Sequence, residues 1–181
     1  IASLAGKKLQ KKRNHVSHFM KTYSDVRFEL LNEHNTADAL KIEDQWFSEN
    51  NGEFDFDKII ELEMIQTALL NMEKLDLKGG ILYADGKPAA MTIGSKISSA
   101  AFDINFEKSC SPFDRDGAYT TVFYEFAKTL ETFRFINREE DMGLPGLRQA
   151  KESYNPDHFA EKYDAVYANE ADNATGRSEE R

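Results

Sequence analysis

Residues 79 to 106 carry the clearest β pattern in the chain and leave few folds open. Gly79-Gly80 opens the run Ile81-Leu82-Tyr83-Ala84, Asp85-Gly86 makes a tight hairpin, and residues 89–97 return as a second strand. Ser98-Ser99 turns the chain again into a third strand over 101–106. A three-stranded antiparallel meander buries one face only if other elements pack on it, so the flanking helical patterns decide the architecture.

Those patterns lie on both sides. Over 7–23, Leu9, Val16, Phe19, Met20 and Tyr23 share one helical face, while Lys7, Lys8, Lys11, Lys12 and Arg13 crowd the other. A strand follows at 26–31. Thr36 caps a helix through Leu40, Trp46 and Phe47 that Asn50-Asn51-Gly52 ends, and Asp55 or Asp57 caps a longer one reaching about Leu75. In the longer helix Leu62, Ile65, Leu69 and Met72 form the buried side, with Glu61 and Glu63 beside it facing solvent. After the meander, Asp116-Gly117-Ala118 starts a helix with Val122, Phe126 and Leu130 in a row.

The next thirty residues concentrate the chemistry. Phe133, Phe135 and Ile136 predict a buried strand, and Asn137, Arg138, Glu139, Glu140 and Asp141 stand where it runs out. Gly143 breaks the chain, Leu144, Leu147 and Tyr154 give a helical face with Pro145 in the first turn, and Asn155-Pro156 stops it. A closing strand is expected over 159–168, where Tyr163, Ala165 and Tyr167 alternate with Lys162, Asp164 and Val166. A polar, structureless tail then covers 169–181. Charged residues at the carboxyl end of a strand are where α/β proteins commonly place a site.

Composition narrows the function classes. With 181 residues and 40% hydrophobic content, including thirteen Phe and seven Tyr, the chain has room for one good core. A single cysteine, Cys110, rules out an internal disulfide framework and points to a reduced, cytoplasmic protein; with no His partner nearby in sequence it reads as an inert thiol. No apolar run approaches the ~18 residues that cross a bilayer. The chain opens on Ile1 rather than Met, so a longer protein with a part upstream is expected. Net charge is −9, yet residues 1–23 hold six Lys or Arg and no acid. The basic face is therefore either a solvated surface or a salt-sensitive site for a polyanion. No zinc pattern, serine nucleophile elbow or phosphate-binding glycine loop is present, so no metal dependence is expected.

The order helix, strand, helix, helix, meander, helix, strand, helix, strand resembles the GCN5-related N-acetyltransferase (GNAT) fold, an α+β arrangement with a mixed, mostly antiparallel sheet flanked by helices. In that fold two strands splay around a central helix, and here those strands would be 101–106 and 133–136. The runs 6–15 (GKKLQKKRNH), 85–96 (DGKPAAMTIGSK), 104–109 (INFEKS), 116–119 (DGAY), 136–143 (INREEDMG) and 147–163 (LRQAKESYNP…EKY) sharpen this. Together they resemble the phosphatidylglycerol lysyltransferase C-terminal family, bacterial proteins of largely unknown function related to the Fem aminoacyltransferases. The resemblance covers about residues 4–168. It implies a basic linking helix over 1–24 and a GNAT-like domain over 25–168, the second lobe of a tandem pair whose first lobe lies upstream.

The resemblance further implies transfer of an amino acid from aminoacyl-tRNA to an amine or hydroxyl. Tyr154, Lys151, Pro156, Lys162 and Tyr163 match the relatives' ending, and a lysine there would neutralise a phosphate or an oxyanion. On this reading Glu107, Asn137, Glu139 and Lys151 are the candidate catalytic residues, one carboxylate serving as base. Lys8, Lys12, Arg13 and His15 hold the donor, tRNA meeting the basic helix through 7–13. Each has a plainer reading as well: a surface lysine, a structural histidine, acids compensating a helix end. Two alternatives stay open. An acyl-CoA-dependent N-acyltransferase would use Arg115 and Gly117 on the pyrophosphate, although Arg115-Asp116-Gly117-Ala118 is shorter than the usual acetyl-CoA loop and sets an acid against the phosphates. A non-catalytic module would use the lysines alone to bind a polyanion or a partner.

Overall fold

The computed structural model describes residues 2–50, 56–139, 141, 143–161, 163 and 165. A 3-10 turn, Lys7–Leu9, leads into α1 (Gln10–Thr22), followed by β1 (Val26–Leu30), α2 (Thr36–Asn50) and α3 (Phe56–Leu70). The meander is β2 (Leu77–Ala84), β3 (Lys87–Lys96) and β4 (Ala101–Ser109). Then come α4 (Phe113–Asp116), α5 (Ala118–Thr129), β5 (Phe135–Arg138) and α6 (Pro145–Glu152). The strands form one sheet in chain order, antiparallel from β1 to β4, with β5 added parallel to β4. This is the α+β, GNAT-like arrangement expected.

Two helical layers sandwich the sheet. On one face Phe19 of α1 and Val122 of α5 pack with Leu82 and Ala90, and Phe123 and Phe126 pack with Phe102 and Ile104. On the other face Ala39, Ile42, Ile65 and Leu69 of α2 and α3 pack on Ile81, Met91 and Ile93. Phe102, Phe123 and Phe126 are wholly buried, and truncating any of them to alanine would cost about 3–5 kcal/mol. Gly80 is required where it stands, because a Cβ there would lie 2.3 Å from the Phe28 ring.

One irregularity in β4 sets up the chemistry. Ile93 pairs with Phe106 but Gly94 pairs with Ile104, so Asn105 is an extra residue that bulges the strand. Gly94 permits this, since a Cβ would meet the Asp103 carbonyl oxygen at 2.1 Å. The bulge reverses the alternation. Phe102 and Ile104 face α5, whereas Phe106 joins the α2–α3 layer. Glu107 is thereby returned to the α5 side, and Lys108 points under α2 and α3.

Four expectations need correction. The fifth strand begins at Phe135, two residues later than its apolar run: Phe133 donates its N–H to Leu130 O at 2.9 Å in a turn, and its ring packs on Phe102 at 5.2 Å. Its hydrophobicity serves the end of α5, and Asn137 and Arg138 become strand residues. No strand forms at 159–161, 163 and 165, and Phe159 and Tyr163 are 74% and 80% exposed. A strand there needs a hydrogen-bonding neighbour, and among the described residues β5 pairs with β4 alone. Leu144 and Leu147 are exposed, and Tyr154 is buried from beyond the end of α6, so the three do not form one packed face. Glu61 does not simply face solvent, because it bonds Lys108 at 2.8 Å. Residues 169–181, and Tyr167 of the expected strand, lie outside the described residues.

Candidate active site where the fourth and fifth strands part

The β4–β5 ladder runs only from Ala101↔Phe135 to Ile104↔Arg138, while β4 continues to Ser109. β5 ends at Arg138, opposite Ile104, and beyond it the Arg138 side chain reaches along β4 to Glu107. Arg138 Nε donates to Glu107 Oε2 at 3.1 Å and Nη2 donates to the same oxygen. Glu107 Oε1 and Arg138 Nη1 are buried and bond no group among the described residues. Thr92, the cross-strand neighbour of Glu107, is buried with its hydroxyl likewise unbonded among them. A buried pair whose remaining donor and acceptor are left over suits a ligand more than a static brace.

Aromatic rings and two more cations complete the site. The Arg138 guanidinium lies 4.5 Å from the Phe123 ring centre and 4.8 Å from that of Tyr154, and the two rings meet edge to face at 5.3 Å. From α1, Lys12 Nζ sits 3.9 Å over the Tyr154 ring. Burial and the like charges of Arg138 and Lys11 bring the Lys12 ammonium down to about 8, against the pull of Glu107. Burial and then Arg138 lower Lys151 in the same way, and its ammonium donates to the Glu139 carbonyl. Burial raises the Tyr154 hydroxyl, which accepts a hydrogen bond from Thr120. Three cations thus crowd around one buried carboxylate. Their mutual repulsion is what an anionic ligand would relieve.

The amino end of α5 is not open. Gly117, at φ +103, lies so close to α1 that a Cβ would stand 3.0 Å from His15 O. Tyr23 donates to Asp116 Oδ2 at 2.6 Å, and His18 Nε2 lies 3.7 Å from Asp116 Oδ1. The backbone of α1 and a carboxylate therefore occupy the ground where unpaired helix N–H groups would otherwise receive a phosphate.

The structure divides the residues singled out from sequence. Glu107, Lys12, Lys151 and Tyr154 come together. Asn137 does not join them, and Glu139 reaches them through its backbone carbonyl on Lys151: Asn137 Nδ2 donates to Asp103 Oδ1 at 2.7 Å, and Asn105 Nδ2 donates to Glu139 Oε1 at 2.9 Å. That polar patch follows Asp103, on the face of the sheet opposite Ile104 and Arg138. Arg13 is spent on structure, its Nη1 bonding the carbonyls of Gly6, at 2.7 Å, and Leu4. Lys8 and Arg115 are exposed, in the 3-10 turn and in α4, and neither enters a described contact with Glu107 or Arg138. His15 lies beside Gly117, its imidazole pKa lowered by burial and by Lys12, Lys11 and His18. Lys162 lies outside the described residues. Cys110 is buried between β3 and α4, and burial raises its thiol to about 11, so it is inert. Sequence reasoning missed Arg138, because the strand was ended at Ile136.

The mixed five-stranded sheet, with an ion pair where β5 ends beside β4, defines the lobe as GNAT-like in fold. Within that fold class, the chain belongs to the phosphatidylglycerol lysyltransferase C-terminal family, which it matches over residues 1–166. A conserved protein of unknown function from Bacteroides thetaiotaomicron VPI-5482 superposes with a TM-score of 0.82 at 40% identity, over 87% of this chain and 53% of that one. L-PGS from Bacillus licheniformis superposes at 0.57 and 15% identity, over 84% and 52%. A possible acetyltransferase from Clostridium difficile 630 does so at 0.53 and 14%, over 78% and 99%. No curated protein matches. The chain spans about half the length of the first two structures. No described helix is long and apolar enough to cross a membrane.

Proposed function

We propose that the chain is the transferase lobe of an aminoacyl-tRNA-dependent enzyme that passes an amino acid to an amine or hydroxyl acceptor. The observation that carries this reading is the gathering of Lys12, Arg138 and Lys151 around Glu107 and Tyr154, where β5 ends beside β4. Membership of the phosphatidylglycerol lysyltransferase C-terminal family supports it.

The chemistry distributes over those residues. Lys12 and Lys151 offset the donor's phosphate charge and the oxyanion that forms when the nucleophile adds to the aminoacyl ester carbonyl. Glu107 Oε1 accepts the proton of the attacking amine or hydroxyl. As the tetrahedral intermediate collapses, the carbonyl–ribose C–O bond breaks and the ribose oxygen leaves with that proton. Arg138 donates to Glu107 Oε2, which fixes the carboxylate's orientation and leaves Oε1 to face the nucleophile. The upstream lobe common to longer family members would supply much of the acceptor site, and a tRNA donor places the reaction in the cytoplasm.

The covered amino end of α5 weighs against acyl-CoA as donor, because Arg115 and Gly117 cannot offer a pyrophosphate cradle while His15 lies against Gly117. The deciding experiment is equilibrium binding of aminoacylated tRNA, deacylated tRNA and acetyl-CoA at two salt concentrations. Salt-sensitive binding that prefers the charged tRNA is the expected result. Binding of acetyl-CoA alone would transfer the reading to ordinary acyl transfer, and no binding at all would favour a non-catalytic module.

A further inference from the structure

The face of β4 opposite Glu107 carries a second buried charge cluster that the transfer reaction does not use. Lys108 is 5% exposed; its ammonium bonds Glu61 Oε2 of α3 at 2.8 Å and lies 3.3 Å from the centre of the Trp46 ring of α2. The Trp46 indole N–H donates to the Tyr119 hydroxyl at the start of α5. One turn back on α2, Glu43 is wholly buried, and among the described residues no group bonds either of its carboxylate oxygens.

The charged surroundings of Glu43 are few. From β4 it meets Lys108, from α3 Glu61, and on its own helix Asp44, whose carboxylate bonds Gln66 at 3.5 Å. From β2, Tyr83 also faces α2, but its hydroxyl donates to Asp38 at 2.9 Å. Tyr119 reaches the cluster only through Trp46. Burial first, opposed by Lys108 and reinforced by Glu61 and Asp44, raises the Glu43 carboxyl to about 7. Two carboxylates therefore share one buried ammonium that is bonded to only one of them.

We propose that Glu43, Lys108 and Glu61 form a proton-operated latch between α2, α3 and the end of β4. With Glu43 protonated and neutral, Lys108 pairs with Glu61 and lies on Trp46, as in this structure. Loss of the Glu43 proton leaves a buried carboxylate that, among the described residues, only the Lys108 ammonium can compensate. The ammonium then turns toward α2, releasing Glu61 and α3. Lys108 follows Glu107 in the chain, so the latch acts on the strand end that holds the candidate active site. It stands independently of whichever transfer that site performs.

Trp46 is the only tryptophan in the chain and sits against the moving ammonium. Its emission is to be followed from about pH 5 to about pH 9, with far-ultraviolet circular dichroism as a fold control. The expected result is one reversible transition centred near 7 that disappears in Glu43→Gln. Glu61→Gln, a change at a partly exposed position, should move the midpoint downward, because it removes a repelling carboxylate and leaves Lys108 free for Glu43. None of the described contacts joins Trp46 to any of the four histidines, so a histidine titration would survive Glu43→Gln. A transition that persists in Glu43→Gln, its absence from the unmodified chain, or a midpoint that Glu61→Gln leaves in place or raises would each overturn the latch.

Discussion

Glu107 and Lys108 are consecutive residues on opposite faces of one strand, and each enters an ion pair, yet the two pairs live in opposite surroundings. Around Glu107 there are three cations and two aromatic rings, and the carboxylate is the minority charge. Around Lys108 there are two glutamates and one indole, and the ammonium is the minority charge. The first face repels its own cations and so invites an anion. The second repels its own acids and resolves this internally, by keeping a proton on Glu43. What separates them is access: α1, β5 and α6 only border the first cluster, whereas α2 and α3 roof the second.

The largest contrast should appear on breaking the pairs. Arg138→Met strands Glu107, which is 12% exposed in its side chain, without its cation, and should cost about 3–5 kcal/mol in urea unfolding. Adding Glu107→Gln should recover a good part of that loss. A cost below about 1 kcal/mol would mean that the opening is hydrated and the pair ordinary.

Next in size is a pH effect on the other face. The carboxyl of Glu43 is raised in the fold from 4.5 to about 7, so the stability it contributes is fully present below 4.5 and is lost as pH rises through 7. Glu43→Gln carries no such loss. Its advantage over the unmodified chain in thermal unfolding should grow across that window to about 3 kcal/mol and level off above it. A constant difference at all pH values would remove the buried carboxylate from the account.

Lys108→Met should cost least, about 1 kcal/mol, because Glu61 can turn to water and Glu43 can stay protonated. If it proved as costly as Arg138→Met, the two faces would be alike. The smallest test needs no variant. With its pKa near 8, Lys12 should react with an amine-acylating reagent at mildly alkaline pH ahead of Lys7, Lys8 and Lys11, as read by peptide mass spectrometry. Equal labelling of all four would place Lys12 in open solvent.

These clusters differed in how much of them the sequence disclosed. The meander, α5 and the basic helix follow from periodicity and turn residues, and the family motifs point to Glu107, Lys12, Lys151 and Tyr154. Arg138 was not among them, because Phe133 looked like strand and serves instead to close α5. Nor was the face of Glu107 legible: strict alternation sets it with Asp103, and only the bulge at Asn105 turns it to α5. Lys108 and Glu43 were invisible for a related reason. Charged residues within apolar helices and strands read as solvent-facing until the roof over them is known, and Glu61 was read in that way.

The most direct test of the central claim is the salt dependence of aminoacyl-tRNA binding by the unmodified chain and by a Lys12→Gln, Lys151→Gln double variant. If these lysines meet the donor's phosphates, the slope of log affinity against log salt should fall by about two and binding should weaken at every salt concentration. An unchanged slope with unchanged affinity would contradict the assignment of this opening as the donor site.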